Sequence, residues 1–270
     1  MSQGSNKALE LGLVSDEVTP DFQEAVAFGL ERGIRLYEIR VLNTGRIPNI
    51  SADEFETVKR TVKETGISIT ALSPGIFKHE VDKTEALNNE LHDALPRTIA
   101  MAKELNCPMI IVFGFHQNDQ PYSEQVTLAQ KYVAAAADLC AQHGIMVTIE
   151  NEPGFVCDTG TRTAEFIRSL GKANVKANWD PCNSWGMEEE PYPDGYEAIK
   201  PYIGNVHIKD TALGGLVKCC PVGEGKIDWD GQMKALVRDG VVAHATIETH
   251  CEPLKENTDH NIRVIRQMMA

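Results

Sequence analysis

The sequence has no apolar run approaching the roughly 18 residues that a membrane-crossing helix needs. It also lacks a CxxC pair and a His-rich tract, and no Gly-rich phosphate loop follows its first apolar run, where SDEVTPDF stands. Positive charge is short as well: 26 Lys and Arg stand against 39 Asp and Glu, a formal net charge of −13. Each shortage removes a class of function. A membrane partner goes with the missing apolar run. A nucleic-acid partner goes with the charge balance, because binding a phosphate backbone would work against the protein's own field. A structural thiolate metal site goes with the missing Cys pairs. The seven scattered Cys, two of them adjacent at Cys219 and Cys220, read as reduced thiols. The opening MSQGSNKALELG has no basic stretch leading into an apolar one. The expectation from these features is a cytoplasmic protein.

What is present describes a folded globule. Hydrophobic residues make up 42% and charged residues 24% of 270 residues, enough to bury a sizeable core. That length suits two ordinary domains or one α/β barrel of about 250 residues. Short β-branched runs alternate with longer amphipathic stretches from end to end. The expected strands are LGLVSDEV from Leu11, LYEIRV from Leu36, SITALSP from Ser68, MIIVFGF from Met109, MVTIENEP from Met146, VKANWDP from Val175, NVHIKD from Asn205 and AHATIETH from Ala243. Between them, segments such as DFQEAVAFGLERG and ADEFETVKRTVKETG carry apolar residues at helical spacing. Gly33, Gly66, Gly144 and Gly240 stand where a helix C-terminus needs a left-handed residue. No linker or composition shift divides the chain. The pattern predicts a single (β/α)8 TIM barrel over residues 1–270, with a doubly wound open sheet as the weaker alternative.

In such a barrel the working groups stand at the carboxyl ends of the strands, where the loops form the one broad concavity. The last four strands each end in an ionisable residue: Glu150, Asp180, His207 and Glu248. Three carboxylates in one cleft repel one another unless a cation compensates them. Three oxygen donors and an imidazole suit a divalent metal ion, with Mn2+ favoured over Mg2+, Co2+ and Zn2+. By strand alternation Glu150 shares its face with Glu152, His207 with Lys209 and Glu248 with His250, whereas Asp210 points away.

The segments IENEPG, NWDPCN, VHIKD, PVGEGKIDW and IETH resemble the xylose isomerase-like barrel superfamily of sugar isomerases and epimerases, which also holds dehydratases and an apurinic endonuclease. The resemblance runs over nearly the whole chain and is strongest from Met146 to Cys251. It implies a metal held by Glu150, Asp180, His207 and Glu248. Two positions depart from the ketose 3-epimerase pattern: where those enzymes carry a substrate-binding His and Arg, this chain has Asn183 and Leu213. The endonuclease branch, for its part, needs further metal ligands and a surface fit for DNA.

The chemistry this implies is a metal-stabilised enediolate of a small keto-sugar or sugar acid, with Glu150 and Glu248 as the pair of catalytic carboxylates. An isomerase or epimerase is the leading expectation. A lyase that dehydrates or decarboxylates a keto-sugar acid is the alternative, and a non-catalytic sugar-binding barrel is a third reading. Lys209, Asn183, His250 and Glu152 are the expected substrate contacts. Glu38 and Arg40 read as an ion pair with each other, and His79 and His116 as loop residues. The glycines of PVGEGKIDW suit a loop over the pocket, and Trp185 with Phe115 or Trp179 suits an apolar wall. A homo-oligomer is compatible with the fold, although no patch in the sequence marks one.

Overall fold

The computed structural model describes residues 8–213 and 218–270. Eight strands close into a barrel: β1 (Glu10–Val14), β2 (Leu36–Ile39), β3 (Ser68–Leu72), β4 (Met109–Phe113), β5 (Met146–Glu150), β6 (Val175–Trp179), β7 (Ile203–Ile208) and β8 (His244–Ile247). Every neighbouring pair is parallel, and the spatial order follows the chain until β8 pairs with β1. The eight segments expected from periodicity are these eight strands. They read as nearly unbroken apolar runs because each is covered on one face by helices and on the other by the barrel interior; all five residues of β4 are buried.

The helices outside the barrel begin and end where side-chain chemistry allows. Ser51 accepts the Glu54 N–H at the start of helix Ala52–Thr65, and Gly66 closes that helix with φ 66°. Helix Tyr122–Ala141 lays Ala129, Val133, Ala136, Ala137 and Cys140 against the sheet, positions three and four residues apart that form one stripe. On the inward side, Met109 and Ile111 pack with Ala71 and the half-buried Met146 beneath Phe113. All seven cysteines are free.

Loops at the carboxyl ends of the strands are tied down rather than loose. Beyond β3, β4 and β5, backbone bonds link Phe113 to Ile76, Phe115 to Phe77, His116 to His79, Gln117 to Gly154 and Val156 to Phe115. Phe115 is accordingly fully buried and stacked on Phe77 at 4.7 Å instead of forming a pocket wall. Trp179 is also core, its Nε1 donating to Gln232 Oε1 at 3.0 Å. Asp210 turns away from the mouth, as strand parity predicts, and its carboxylate collects four backbone N–H groups. Oδ1 accepts from Thr211 and Ile227, and Oδ2 from Gly223 and Gly225, at 2.8–3.2 Å. A Cβ on Gly225 would come within 2.0 Å of Asp210 Oδ1, so the glycine in PVGEGKIDW permits this close approach.

Asp210→Asn keeps the size of the side chain but offers one acceptor oxygen for four donors. It should lower stability by roughly 1–3 kcal/mol in urea unfolding, since two of the four N–H groups lose their acceptor.

Candidate active site at the barrel mouth

Glu150 ends β5, His207 lies in β7, and Asp180 and Glu248 each follow directly on the last residue of β6 and β8. All four are buried, and among the described residues they bring ligand atoms that all lie within 4.8 Å of one another. His207 Nδ1 is 3.3 Å from both Glu150 Oε1 and Glu248 Oε2. Donors around one divalent ion at bond lengths of about 2.1 Å stand about 3 Å apart, so this spacing suits one cation.

Asp180 serves two purposes. Its Oδ1 accepts the Asn183 N–H at 3.1 Å and caps the short helix Pro181–Ser184, which leaves Oδ2 for the cluster. Asn151 fixes the backbone on which this depends. Its Oδ1 accepts the Asp180 N–H at 2.8 Å, and its Nδ2 donates to the Asp180 carbonyl at 2.8 Å and to Ser184 Oγ at 2.9 Å. Asn183 lies behind the ligands, buried, with its amide on the Asn151 carbonyl at 2.9 Å and 3.4 Å from Glu150 Oε1.

Glu38 and Arg40 do not pair with each other, contrary to the expectation from their spacing. Glu38 is wholly buried and accepts from His207 Nε2 at 2.9 Å, which directs Nδ1 at the carboxylates. Arg40 instead reaches Glu248 Oε1 at 2.6 Å, Glu17 Oε1 at 2.5 Å and Asp16 Oδ2 at 2.9 Å. The alternation of β2 hides this, because the partners come from other strand ends: Asp16 and Glu17 follow β1, His207 lies in β7 and Glu248 follows β8.

Lys209 is almost completely buried, with Nζ 2.8 Å from Asp180 Oδ2 and 2.8 Å from Glu248 Oε2. The approach to Asp180 is an ion pair without a well-directed hydrogen bond, and Asp180 Oδ2, Glu38 Oε1 and Asn178 Oδ1 are buried acceptors without a hydrogen-bond donor. An acceptor-rich site of this kind fits a cation in addition to the ammonium. Burial would raise the Glu248 carboxyl, but Lys209, His250 and His207 outweigh it and hold the group well below the usual carboxylate range. Burial likewise opposes ionisation of Glu150, and His207 beside it brings that carboxyl below its ordinary value. For His207 burial favours loss of the proton, whereas Glu38, Glu150 and Glu248 together keep it protonated well above the usual imidazole range. Binding of a metal at Nδ1 would therefore displace a proton.

Above the cluster lies a cleft of about 340 Å³, counted to its open mouth. Glu150, Glu248 and Lys209 form its floor, and Glu152, His250, Lys78 and Phe113 stand in its walls. Lys78 Nζ is 3.2 Å from Glu152 Oε1 and 3.9 Å from the centre of the Phe113 ring. Burial raises the Glu152 carboxyl above its usual value despite Lys78, and its Oε2 has no hydrogen-bond partner. His250, at φ 52°, bonds Glu17 Oε1 through Nδ1 at 2.6 Å. Burial pushes the Glu17 carboxyl upward, yet His250 and Arg40 hold it down at about 2. Of the remaining sequence candidates, His79 is half exposed near Glu90, His116 lies over Phe155 at 4.0 Å, Trp185 is half buried and Leu213 is exposed. Arg40 also lines the cleft, together with Arg46, Ser73 and Lys78, which escaped the sequence reading; these three come from the turns after β2 and β3, where no ionisable motif stands out.

A family model described as a xylose isomerase-like TIM barrel matches residues 26–268. The chain belongs to this family. A 3-dehydroshikimate dehydratase of Bacillus anthracis is 24% identical over 204 residues, covering 71% of this chain and 67% of that protein. Among solved structures, the IolI protein with a bound zinc atom is similar at a TM-score of 0.79 and 15% identity, covering 96% of each chain. The apo 3-keto-D-glucoside 4-epimerase YcjR of E. coli is similar at 0.78 and 16% identity, covering 96% of this chain and 99% of that one. At these identities the two structures establish the shared fold. These neighbours, with an L-ribulose 3-epimerase among the solved structures, are enzymes of the sugar isomerase, epimerase and dehydratase kind. No helix among the described residues is long and apolar enough to cross a membrane.

Two outcomes are expected from this geometry. Glu38→Gln should weaken divalent-metal binding by about 10–100-fold in a calorimetric titration, because His207 exchanges a charged acceptor for a weaker amide that holds it less firmly. Because the Glu17 carboxyl is lower in the folded protein, its contribution to stability is complete above pH 4.5 and is lost as pH falls through about 2. The unfolding free energies of wild type and Glu17→Gln should thus differ most at neutral pH and converge in acid.

Proposed function

We propose that this protein is a divalent-metal-dependent isomerase or epimerase of a small keto-sugar or sugar acid. The observation that carries this reading is the convergence of Glu150, Asp180, His207 and Glu248, of which Glu150 and Glu248 line the cleft. These four residues would hold the ion, with Mn2+ favoured by three oxygen donors and one imidazole. When bound, such an ion supplies Lewis acidity that makes the C–H beside a substrate carbonyl easier to ionise.

The chain's own groups account for the proton movements. Glu150 and Glu248, from strands three apart around the ring, are both held in the carboxylate form at neutral pH, as a general base requires. One takes the proton from the substrate carbon, and the other, or the same group after the substrate turns, returns it to a different carbon or face. Arg40 and Lys209 keep Glu248 in place while its charge changes. Lys209, His250 and Glu152 are the substrate contacts in this reading, and Asn183 steadies Glu150 from behind.

A second reading has a specific observation in its favour. Glu152, a buried carboxyl with a raised pKa on the cleft wall, is suited to protonate a leaving hydroxyl. That would make the site a lyase for a keto-sugar acid, and the 24% identity to a dehydratase points the same way.

Glu150→Gln and Glu248→Gln should each lower turnover by at least about 100-fold when measured on folded protein, and Glu248→Gln should also lower the melting temperature because Arg40 and Lys209 lose a counter-charge. Asp180→Asn and His207→Ala should weaken metal binding in addition. A panel of ketoses, keto acids and their phosphates incubated with Mn2+-loaded protein in D2O, read by NMR and mass spectrometry, separates the readings. Solvent deuterium in a product of otherwise unchanged composition marks an isomerase, loss of water or carbon dioxide marks a lyase, and neither outcome across the panel overturns both.

A further inference from the structure

Four cationic side chains of the cleft already have carboxylate partners: Arg40 with Glu248, Lys78 with Glu152, Lys209 with Asp180, and His250 with Glu17. Arg46 is different. Its Nη1 donates to the Ser73 carbonyl at 3.0 Å, and among the described residues no carboxylate forms an ion pair with it. A guanidinium does not lose its proton at ordinary pH, so the cleft carries a fixed positive charge without a counter-ion. Burial and the neighbouring Arg40 act against that charge, and Asp16, Glu150 and Glu248 favour it without forming an ion pair with it.

The backbone delivers this arginine on purpose-shaped elements. It ends the two-stranded ribbon Val41–Leu42 and Gly45–Arg46 that follows β2. Gly45 has φ 149°, and a Cβ there would meet the Asn49 carbonyl oxygen at 2.8 Å. The Arg46 stem crosses Gly75, where φ is 82° and a Cβ would stand 3.3 Å from Arg46 Cδ. In a chain of net charge −13, an arginine held this way with no carboxylate in contact is set up for an anion from outside.

We propose that Arg46 binds a carboxylate of the ligand, so that the molecule accepted by this cleft is a polyhydroxy acid and not a neutral sugar. The inference rests on the reading of the site given under Proposed function and narrows its substrate class. A planar guanidinium whose Nη1 is already taken offers its remaining N–H groups to the two oxygens of a carboxylate. A phosphate dianion would call on further cations, which here are committed to Glu17, Glu152, Asp180 and Glu248.

The test is calorimetric titration of Mn2+-loaded protein with D-gluconate, with sorbitol, which replaces the carboxylate by a hydroxymethyl group, and with inorganic phosphate. Wild type should bind gluconate at least tenfold more tightly than sorbitol. Arg46→Gln should remove that preference with an unchanged melting temperature, and Arg46→Lys should restore part of it. Equal or absent binding of gluconate and sorbitol overturns the proposal, as does a preference that survives in Arg46→Gln. Phosphate binding more tightly than gluconate overturns it too. Because binding is read without turnover, an intact gluconate preference beside a silent deuterium panel sinks the reaction and leaves the anion anchor standing.

Discussion

The barrel mouth depends on compensating four buried carboxylates, Glu38, Glu150, Asp180 and Glu248, all 4% exposed or less. An ionised carboxylate taken out of water without a partner costs several kcal/mol even after the protein relaxes. The compensation comes from His207, Lys209 and Arg40, whose charged nitrogens reach the four at 2.6–3.3 Å. None of these pairs is local in sequence: His207 to Glu38 spans 169 residues and Arg40 to Glu248 spans 208. Closure of the barrel is therefore what makes the charge balance available, and the charge balance is what allows so acidic a floor to stay folded.

The same arrangement explains why the floor can be rigid. Asp180 is held at both peptide groups by Asn151 and at Oδ1 by the helix it caps, so its remaining oxygen has little freedom. His207 is held from behind by Glu38, and Glu248 from two sides by Arg40 and Lys209. A site whose donors are fixed before any ligand arrives spends little of its interaction energy on reorganisation. The loops beyond β3, β4 and β5 add to this by bonding to one another, and Asp210 does the same for the segment after β7.

Most of the barrel was legible because its signals are local. Strand runs, helix stripes and glycine C-caps each arise within about ten residues, and alternation along β7 was enough to send His207 and Lys209 inward and Asp210 outward. The convergence of Glu150, Asp180, His207 and Glu248 was legible for the same reason, each standing at the end of its own strand. Glu38 and Arg40 were misread because neighbours two apart on one strand looked like natural partners, while their real partners lie across the ring. Arg46 and Lys78 gave no signal at all. Both sit in loops whose path into the cleft depends on tertiary contacts, Arg46 on Gly75 and Lys78 on Phe113, that no periodicity encodes. Asn151 was passed over because its work is done on backbone groups, which leave no trace in composition.

This division between strand ends and loops has a functional counterpart. The groups proposed to govern proton removal stand at strand ends, where the barrel fixes them, whereas Arg46, Ser73 and Lys78 line the cleft from the turns after β2 and β3. A family can keep the first set and exchange the second, so likeness of fold speaks to a style of chemistry and says little about the molecule transformed. For this chain the second set is unusually cationic against a strongly acidic whole. Since fields from exposed charges fade within about 10 Å at moderate salt, these nearby groups, and not the net charge, set the field that a molecule inside the cleft experiences.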